Sequence, residues 1–215
     1  MTAVSAHYDE RYFAGQSADA LFSGAAELRK FQSFVKPTDT VVDLGCGGGF
    51  LLARLDCAKR IGVDVNPAAR QNCQQLGLSV VDDLARIDDN SADVAISNHA
   101  LEHMTDPYEK LLQVRRTLKS NGTAVFVVPC ERYDFAFRPD DSDRHLYTWS
   151  PMNLGNLFQS AGFQVIECRE YVHRWPPGRH AIVKLVGWTA FHLIARVYGV
   201  LSRRHSQVRI IARKS

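Results

Sequence analysis

The sequence has no Cys-x-x-Cys pair, and its five cysteines are odd in number and lack the paired spacing of a disulfide scaffold. That argues against a cysteine-held zinc site and a stapled secreted fold, and predicts reduced thiols in a cytoplasmic setting. No apolar signal segment opens the sequence, and no internal repeat or low-complexity segment interrupts it. The net charge of +3 is too small to argue for nucleic acid, so no nucleic-acid partner is expected. A clean membrane span is also missing. Residues 181–201 are long enough to cross a bilayer at ~1.5 Å per residue, but they include Lys184, His192 and Arg196. The dinucleotide fingerprint G-x-G-x-x-G is incomplete: Gly45 and Gly47 fill its first two places and Phe50 stands in the third.

What is present is ordinary for a single globular domain, with 46% apolar and 23% charged residues in 215. The chain is organised around Val41-Val42-Asp43-Leu44-Gly45-Cys46-Gly47-Gly48-Gly49-Phe50. A short β-branched run ends in an acid and a glycine cluster, and Phe50, Leu51, Leu52 and Leu55 follow at helical spacing. This predicts a buried strand, a tight turn and a helix whose N-terminal N–H groups suit an anionic ligand group. Upstream, an aromatic segment with Tyr8, Tyr12 and Phe13 is expected to form a lid over the glycine loop, followed by a helix over about 18–34.

Downstream, residues 60–65 predict a second strand ending in Asp64, and Asn66-Pro67 a helix start with its stop at Gly77. A third strand covers 78–81 and a fourth 92–97. A helix opens at Asp106-Pro107 and runs to about Lys119, ended by Asn121-Gly122, and a fifth strand over 123–128 is closed by Pro129. Ser150-Pro151 starts a further helix. Strands alternating with helices in this way predict a parallel sheet covered on both faces.

Asp64 lies about 19 residues after Gly45, where nucleotide-binding α/β folds place the acid that takes both ribose hydroxyls. Asp82 or Asp83 could accept from an adenine amino group, with Leu84 packing on the ring. Asn98 and His99 are expected to face the ligand at the carboxyl end of the sheet. His99-Ala100-Leu101-Glu102-His103 also matches the H-x-x-E-H pattern of zinc proteases. Its place in a crossover after a strand argues against that reading, so no metal ligand is assigned and His103 is read as a packing histidine.

These blocks together resemble the class I S-adenosylmethionine (SAM) dependent methyltransferases, in the branch acting on small molecules, lipids or glycans. The carrying residues are Asp43-Leu44-Gly45-Cys46-Gly47-Gly48-Gly49, Gly62-Val63-Asp64, Asp89-Asn90-Ser91-Ala92-Asp93-Val94, His99-Ala100-Leu101-Glu102-His103 and Arg116-Thr117-Leu118-Lys119-Ser120-Asn121-Gly122. The resemblance implies a Rossmann-like, doubly wound, seven-stranded sheet, mostly parallel with an antiparallel last strand at 206–212, after one at 162–169. It implies SAM as cofactor, with Tyr12, Asp43, Gly45, Cys46, Gly47, Asp64, Val65, Asp82, Asp83, Leu84, Asn98 and His99 as its binding positions. The expected organisation is one domain over 1–215: a lid and helix to 36, a SAM-binding core over 37–172, an inserted amphipathic helix within 173–205, and the last strand from 206.

The implied chemistry is in-line methyl transfer to a small-molecule, glycan or lipid-linked acceptor, with His145 as the candidate base and Tyr147 as a pocket wall. On a helical wheel, Lys184, His192, Arg196 and Arg203 share one narrow arc and apolar residues fill the rest. That suits contact with a membrane interface through 180–204, on its inner face, a homodimer surface, or an inserted helix packing on the domain itself. The alternatives are an NAD-dependent oxidoreductase, disfavoured by Phe50, and a non-catalytic SAM-binding protein.

Overall fold

The computed structural model describes the backbone of residues 10–131, 136–141, 143–202 and 206–215, and the side chains of these except 10–18 and Ser206. Seven strands form one sheet: β1 (Thr40–Leu44), β2 (Lys59–Val63), β3 (Ser79–Val81), β4 (Ala92–Asn98), β5 (Leu118–Cys130), β6 (Phe163–Tyr171) and β7 (Ser206–Lys214). Their order is β3-β2-β1-β4-β5-β7-β6. The first five pair in parallel, and β7 runs antiparallel between β5 and β6. The order reverses between β1 and β4, and ligands of open α/β sheets bind at such a crevice, outside the carboxyl ends of the strands.

Among the described residues five α-helices accompany the sheet: α1 (Glu10–Glu27), α2 (Pro67–Gln75), α3 (Pro107–Thr117), α4 (Pro151–Ser160) and α5 (Arg179–Ser202). Three of them start as the sequence predicts. Asn66, Asp106 and Ser150 each accept a backbone N–H bond at the N-cap, with proline in the first turn. One face of the sheet packs on Leu111, Val114, Leu154 and Phe158 from α3 and α4. The other packs on Phe31, Leu52, Leu55 and Cys73.

The helix expected after the glycine loop is not formed. Ala53 N–H reaches Gly49 O at 2.8 Å, and a 3₁₀ turn over Leu52–Arg54 ends the segment. Leu52 and Leu55 are both fully buried. One turn is enough to sink them beneath the sheet, and the chain then enters β2 at Lys59, too soon for a second. The anion-binding helix start predicted there is therefore absent, and the loop's own amides stand in its place.

The predicted helix over 18–34 is instead α1 followed by two 3₁₀ turns, Leu28–Lys30 and Gln32–Phe34. Tyr8 lies outside the described residues, as do the side chains of Tyr12 and Phe13, whose backbone belongs to α1. α3 stops at Thr117 rather than Lys119, because Leu118 already joins β5. Asn121-Gly122, expected to end that helix, instead sits in a register shift of the β4–β5 pair, with Asn121 at φ +63.

α5 is inserted between β6 and β7 and is kinked at Gly187, whose φ is +75. The kink rotates the two halves relative to each other, so a single wheel misplaces residues across it. His192, expected on the charged outer arc, is half-buried, with its Nδ1 3.1 Å from His173 Nε2. Phe191 and Ala195 pack on Phe22 and Ala26 of α1, with Trp175 and Trp188 alongside. Arg179 and His180 both contact the Asp19 carboxylate of α1. Gly199 is needed for close approach, since a Cβ there would lie 2.7 Å from Val172 Cγ1.

Candidate active site

The glycine loop is held from both sides. Gly45 and Cys46 donate backbone N–H bonds to Val63 O at 2.8 and 3.1 Å, and Gly47 N–H donates to Asp64 Oδ2 at 2.8 Å. Asp64 Oδ1 accepts from Asn66 N–H at 2.9 Å, which locks the carboxylate at the tip of β2. Each oxygen keeps a lone pair that a hydroxyl could use. Burial pushes the Asp64 carboxyl upward, partly offset by these two bonds. Gly47 has φ +51 and nothing within 4 Å of an added Cβ, so its backbone borders open space.

Asp43, at 2% exposure, lies just inside the loop. Burial pushes its carboxyl up to about 8, and the Asp64 charge adds to the rise. Two carboxylates so placed favour a ligand that carries positive charge, as a sulfonium or an α-amino group does. The residues present therefore fit SAM. Cys46 turns its side chain away, with Sγ 3.8 Å from Cys73 Sγ in the core, so the loop offers only its backbone there. Val65 is exposed beside Asp64.

At the end of β3 the two aspartates separate. Asp83 caps the following 3₁₀ turn through Ala85 N–H at 2.8 Å and pairs with Lys110 at 2.9 Å. Asp82 is paired with the exposed Arg86. Leu84 does not wall a ligand ring: it is fully buried in the core beneath the sheet. The 3₁₀ turn capped by Asp83 swings its side chain inward, and the Leu84 carbonyl accepts from Arg116 at 2.7 Å.

The carboxyl end of β4 carries Asn98 and His99. His99 adopts φ +54, an uncommon conformation for a residue with a Cβ, and its N–H donates to Val127 O at 2.9 Å. The turn that follows lies over the glycine loop, since a Cβ on Gly45 would come 2.2 Å from Ala100 Cβ. His99 Nδ1 is 3.4 Å from Glu102 Oε1. Across from this turn, His145 Nδ1 is bonded to Glu131 Oε1 at 2.7 Å, and the His103 and His145 ring centroids are 4.9 Å apart. Burial pushes the His103 imidazole downward, so it is neutral at pH 7. Tyr147 donates to Thr105 O at 3.2 Å and stacks on Trp149. Trp149 belongs to the core.

A buried polar group near Asn98 had no sequence signal beyond a Glu-x-x-Lys spacing. Lys30, fully buried, pairs with Glu27 and donates to Gln207 Oε1 at 2.7 Å and to Asn98 Oδ1 at 3.4 Å. Burial pushes the neighbouring His173 down to about 4, with the Lys30 charge adding to it. The group ties α1, β4 and β7 together beside the crevice.

Comparison with known proteins places this geometry. A ubiquinone biosynthesis O-methyltransferase from Cupriavidus pinatubonensis is 28% identical over 155 residues, which are 60% of this chain and 61% of that one. The chain thus spans less than two thirds of that relative's length. A SAM-dependent methyltransferase from Thermotoga maritima superposes with a TM-score of 0.66 at 18% identity, covering 95% of both chains. A geranyl diphosphate methyltransferase solved with geranyl diphosphate and sinefungin gives 0.63 at 18% identity over 90% of this chain and 79% of that one. These two likenesses concern the fold. The methyltransferase domain family matches residues 14–168, from within α1 to within β6. By that match the chain belongs to the methyltransferase domain family, and its sheet order is that of the class I methyltransferase fold.

Proposed function

We propose that the chain grips SAM between the glycine loop and Asp64 and moves its methyl group in line to a hydroxyl of a lipid-linked acceptor. Bound SAM supplies an electrophilic methyl carbon on a sulfonium, so the protein's task is alignment and exclusion of water. Asp64 takes the ribose hydroxyls, the amides around Gly47 face the amino-acid end, and Asp43 offsets its positive charge. Asp82, free of the capping and Lys110 contacts that occupy Asp83, is the better placed of the two to meet the adenine. Asn98 and His99 line the reacting end. The acceptor enters beside Tyr147 and His145, whose Nδ1 is fixed by Glu131 so that Nε2 can take a hydroxyl proton.

The observation that carries the lipid-linked reading is α5. Leu185, Leu193 and Leu201 are 86%, 65% and 76% exposed on its outer face. Among the described residues it is the helix long and apolar enough to cross a membrane, yet it is docked by its inner face against α1. A helix so placed presents apolar area to a bilayer surface, on the inner face of the membrane in this reading.

Two measurements test the proposal. Calorimetric titration with SAM should show one site, weakened in D64A by about 1.5–3 kcal/mol, the weight of a hydrogen bond to a charged group. Methyl-labelled SAM added with a cell extract should place label in the lipid-extractable fraction. Label in the aqueous small-molecule or protein fraction alone refutes the acceptor class, and undiminished binding by D64A refutes the site.

A further inference from the structure

We infer that Glu102, His103 and His145 form a binding site for one divalent transition-metal ion beside the glycine loop. One ligand atom from each lies within 4.8 Å of the other two. Three ligands at ~2.1 Å around a tetrahedral ion stand about 3.4 Å apart, so the side chains draw together by up to about 1.4 Å to complete the site. Two imidazoles and one carboxylate are a donor set that holds Zn²⁺ and its neighbours while leaving positions open.

A second observation points to a cation. Glu102 is fully buried, and among the described residues neither carboxylate oxygen has a hydrogen-bond partner. Among the described residues, His99 lies 3.4 Å and His103 4.0 Å from it. A carboxylate taken out of water without donors costs several kcal/mol unless a cation repays it. The outer shell is also built: Glu131 holds His145 Nδ1 at 2.7 Å, the carboxylate–histidine arrangement that orients a ligating ring and leaves Nε2 for a metal. His99-Ala100-Leu101-Glu102-His103 supplies two ligands from one short turn, and the third arrives from 42 residues downstream, where no sequence spacing announces it.

The placement gives the ion a use, and this consequence rests on the reading of the crevice as a methyl-transfer site. The turn that bears Glu102 and His103 packs on Gly45 through Ala100. An ion there would hold an acceptor hydroxyl oxygen and lower its pKa, so the hydroxyl proton would pass to solvent water before transfer and His145, then a ligand, would not need to take it. Acceptors with two adjacent oxygens, vicinal diols or catechols, would gain most by occupying two open positions.

The test is binding, read without turnover. Chelator-treated protein is titrated with Zn²⁺, Mn²⁺ and Mg²⁺ by calorimetry, and with Co²⁺ by its visible absorption. One equivalent of Zn²⁺ should bind, with Mg²⁺ weaker because imidazole suits it poorly. E102Q and H145A should weaken Zn²⁺ at least tenfold, and E131Q by about 10–100-fold as an outer-shell change. H180A, which removes an exposed histidine on α5, should leave the affinity unchanged. Circular dichroism and SAM titration of each variant check that the fold survives. No saturable site for Zn²⁺, Mn²⁺ or Co²⁺, or equal affinity in folded E102Q and H145A, overturns the inference. SAM binding that persists in that outcome leaves the methyltransferase reading standing.

Discussion

Burial lifts the Asp43 carboxyl from 3.8 to about 8, with Asp64 adding to the rise. Between roughly pH 4 and 8 the folded protein therefore keeps a proton that the unfolded chain has released. Stability then falls as pH rises through that window, by up to about 1.4 kcal/mol per pH unit. D43N removes the titration. Without SAM, this variant should be more stable than the parent by a margin that grows from pH 5 to pH 8, while its SAM affinity falls. Thermal melts at the two pH values, with and without SAM, read both effects. A margin independent of pH would show that Asp43 does not hold the proton. The strain is the kind that functional sites store: a carboxylate costly to the empty fold becomes favourable once a cationic ligand sits against it.

Among the elements, the glycine loop and the turn after β4 form one unit. Gly45 sits at φ +73, and an added Cβ would overlap Ala100. G45A therefore combines left-handed strain of about 1–2 kcal/mol with overpacking of about 1–3 kcal/mol. Denaturant unfolding should show at least about 2 kcal/mol lost, and SAM affinity should fall with it, because the loop can relax only by lifting the 99–103 turn. Unchanged affinity would separate the two elements. The strands, their order of appearance and three of the helix starts were legible, because apolar runs and capping residues are local signals. Asp43, Asp64 and the glycines were legible as a group for the same reason.

What was not legible depended on distance. Phe50, Leu51, Leu52 and Leu55 have helical spacing, but the early entry into β2 at Lys59 allows only one turn. Leu84 follows an acid that suits a ligand, yet the Asp83 cap turns it into the core. The α5 wheel failed at Gly187, since a kink cannot be read from periodicity. Lys30, Glu27 and Gln207 meet Asn98 only through the tertiary fold, and His145 meets Glu102 the same way.

On the scale of the whole molecule, charge is divided along the chain. All 23 acidic residues lie before residue 171, against 17 lysines and arginines, while the remaining 45 residues carry nine cations and no acid. The positive segment contains α5, with Lys184 and Arg196 exposed near its apolar face. Cations beside exposed leucines match an anionic bilayer, where each contributes about 1 kcal/mol near the surface and salt screens them over ~10 Å at 0.1 M. The protein should float with vesicles containing anionic phosphatidylserine or phosphatidylglycerol, float less with neutral phosphatidylcholine, and detach progressively as salt rises. L193Q/L201Q removes apolar area without touching Phe191, Ala195 or Gly199, so the helix stays docked and SAM affinity is kept. Vesicle binding by this variant should fall severalfold, at about 0.8 kcal/mol per CH₂ withdrawn from the interface. A parent protein that stays with the aqueous fraction at low salt would remove the membrane from the account. It would take away the support for a lipid-linked acceptor and leave the grip on SAM, which rests on the glycine loop and Asp64, to be tested by the D64A titration.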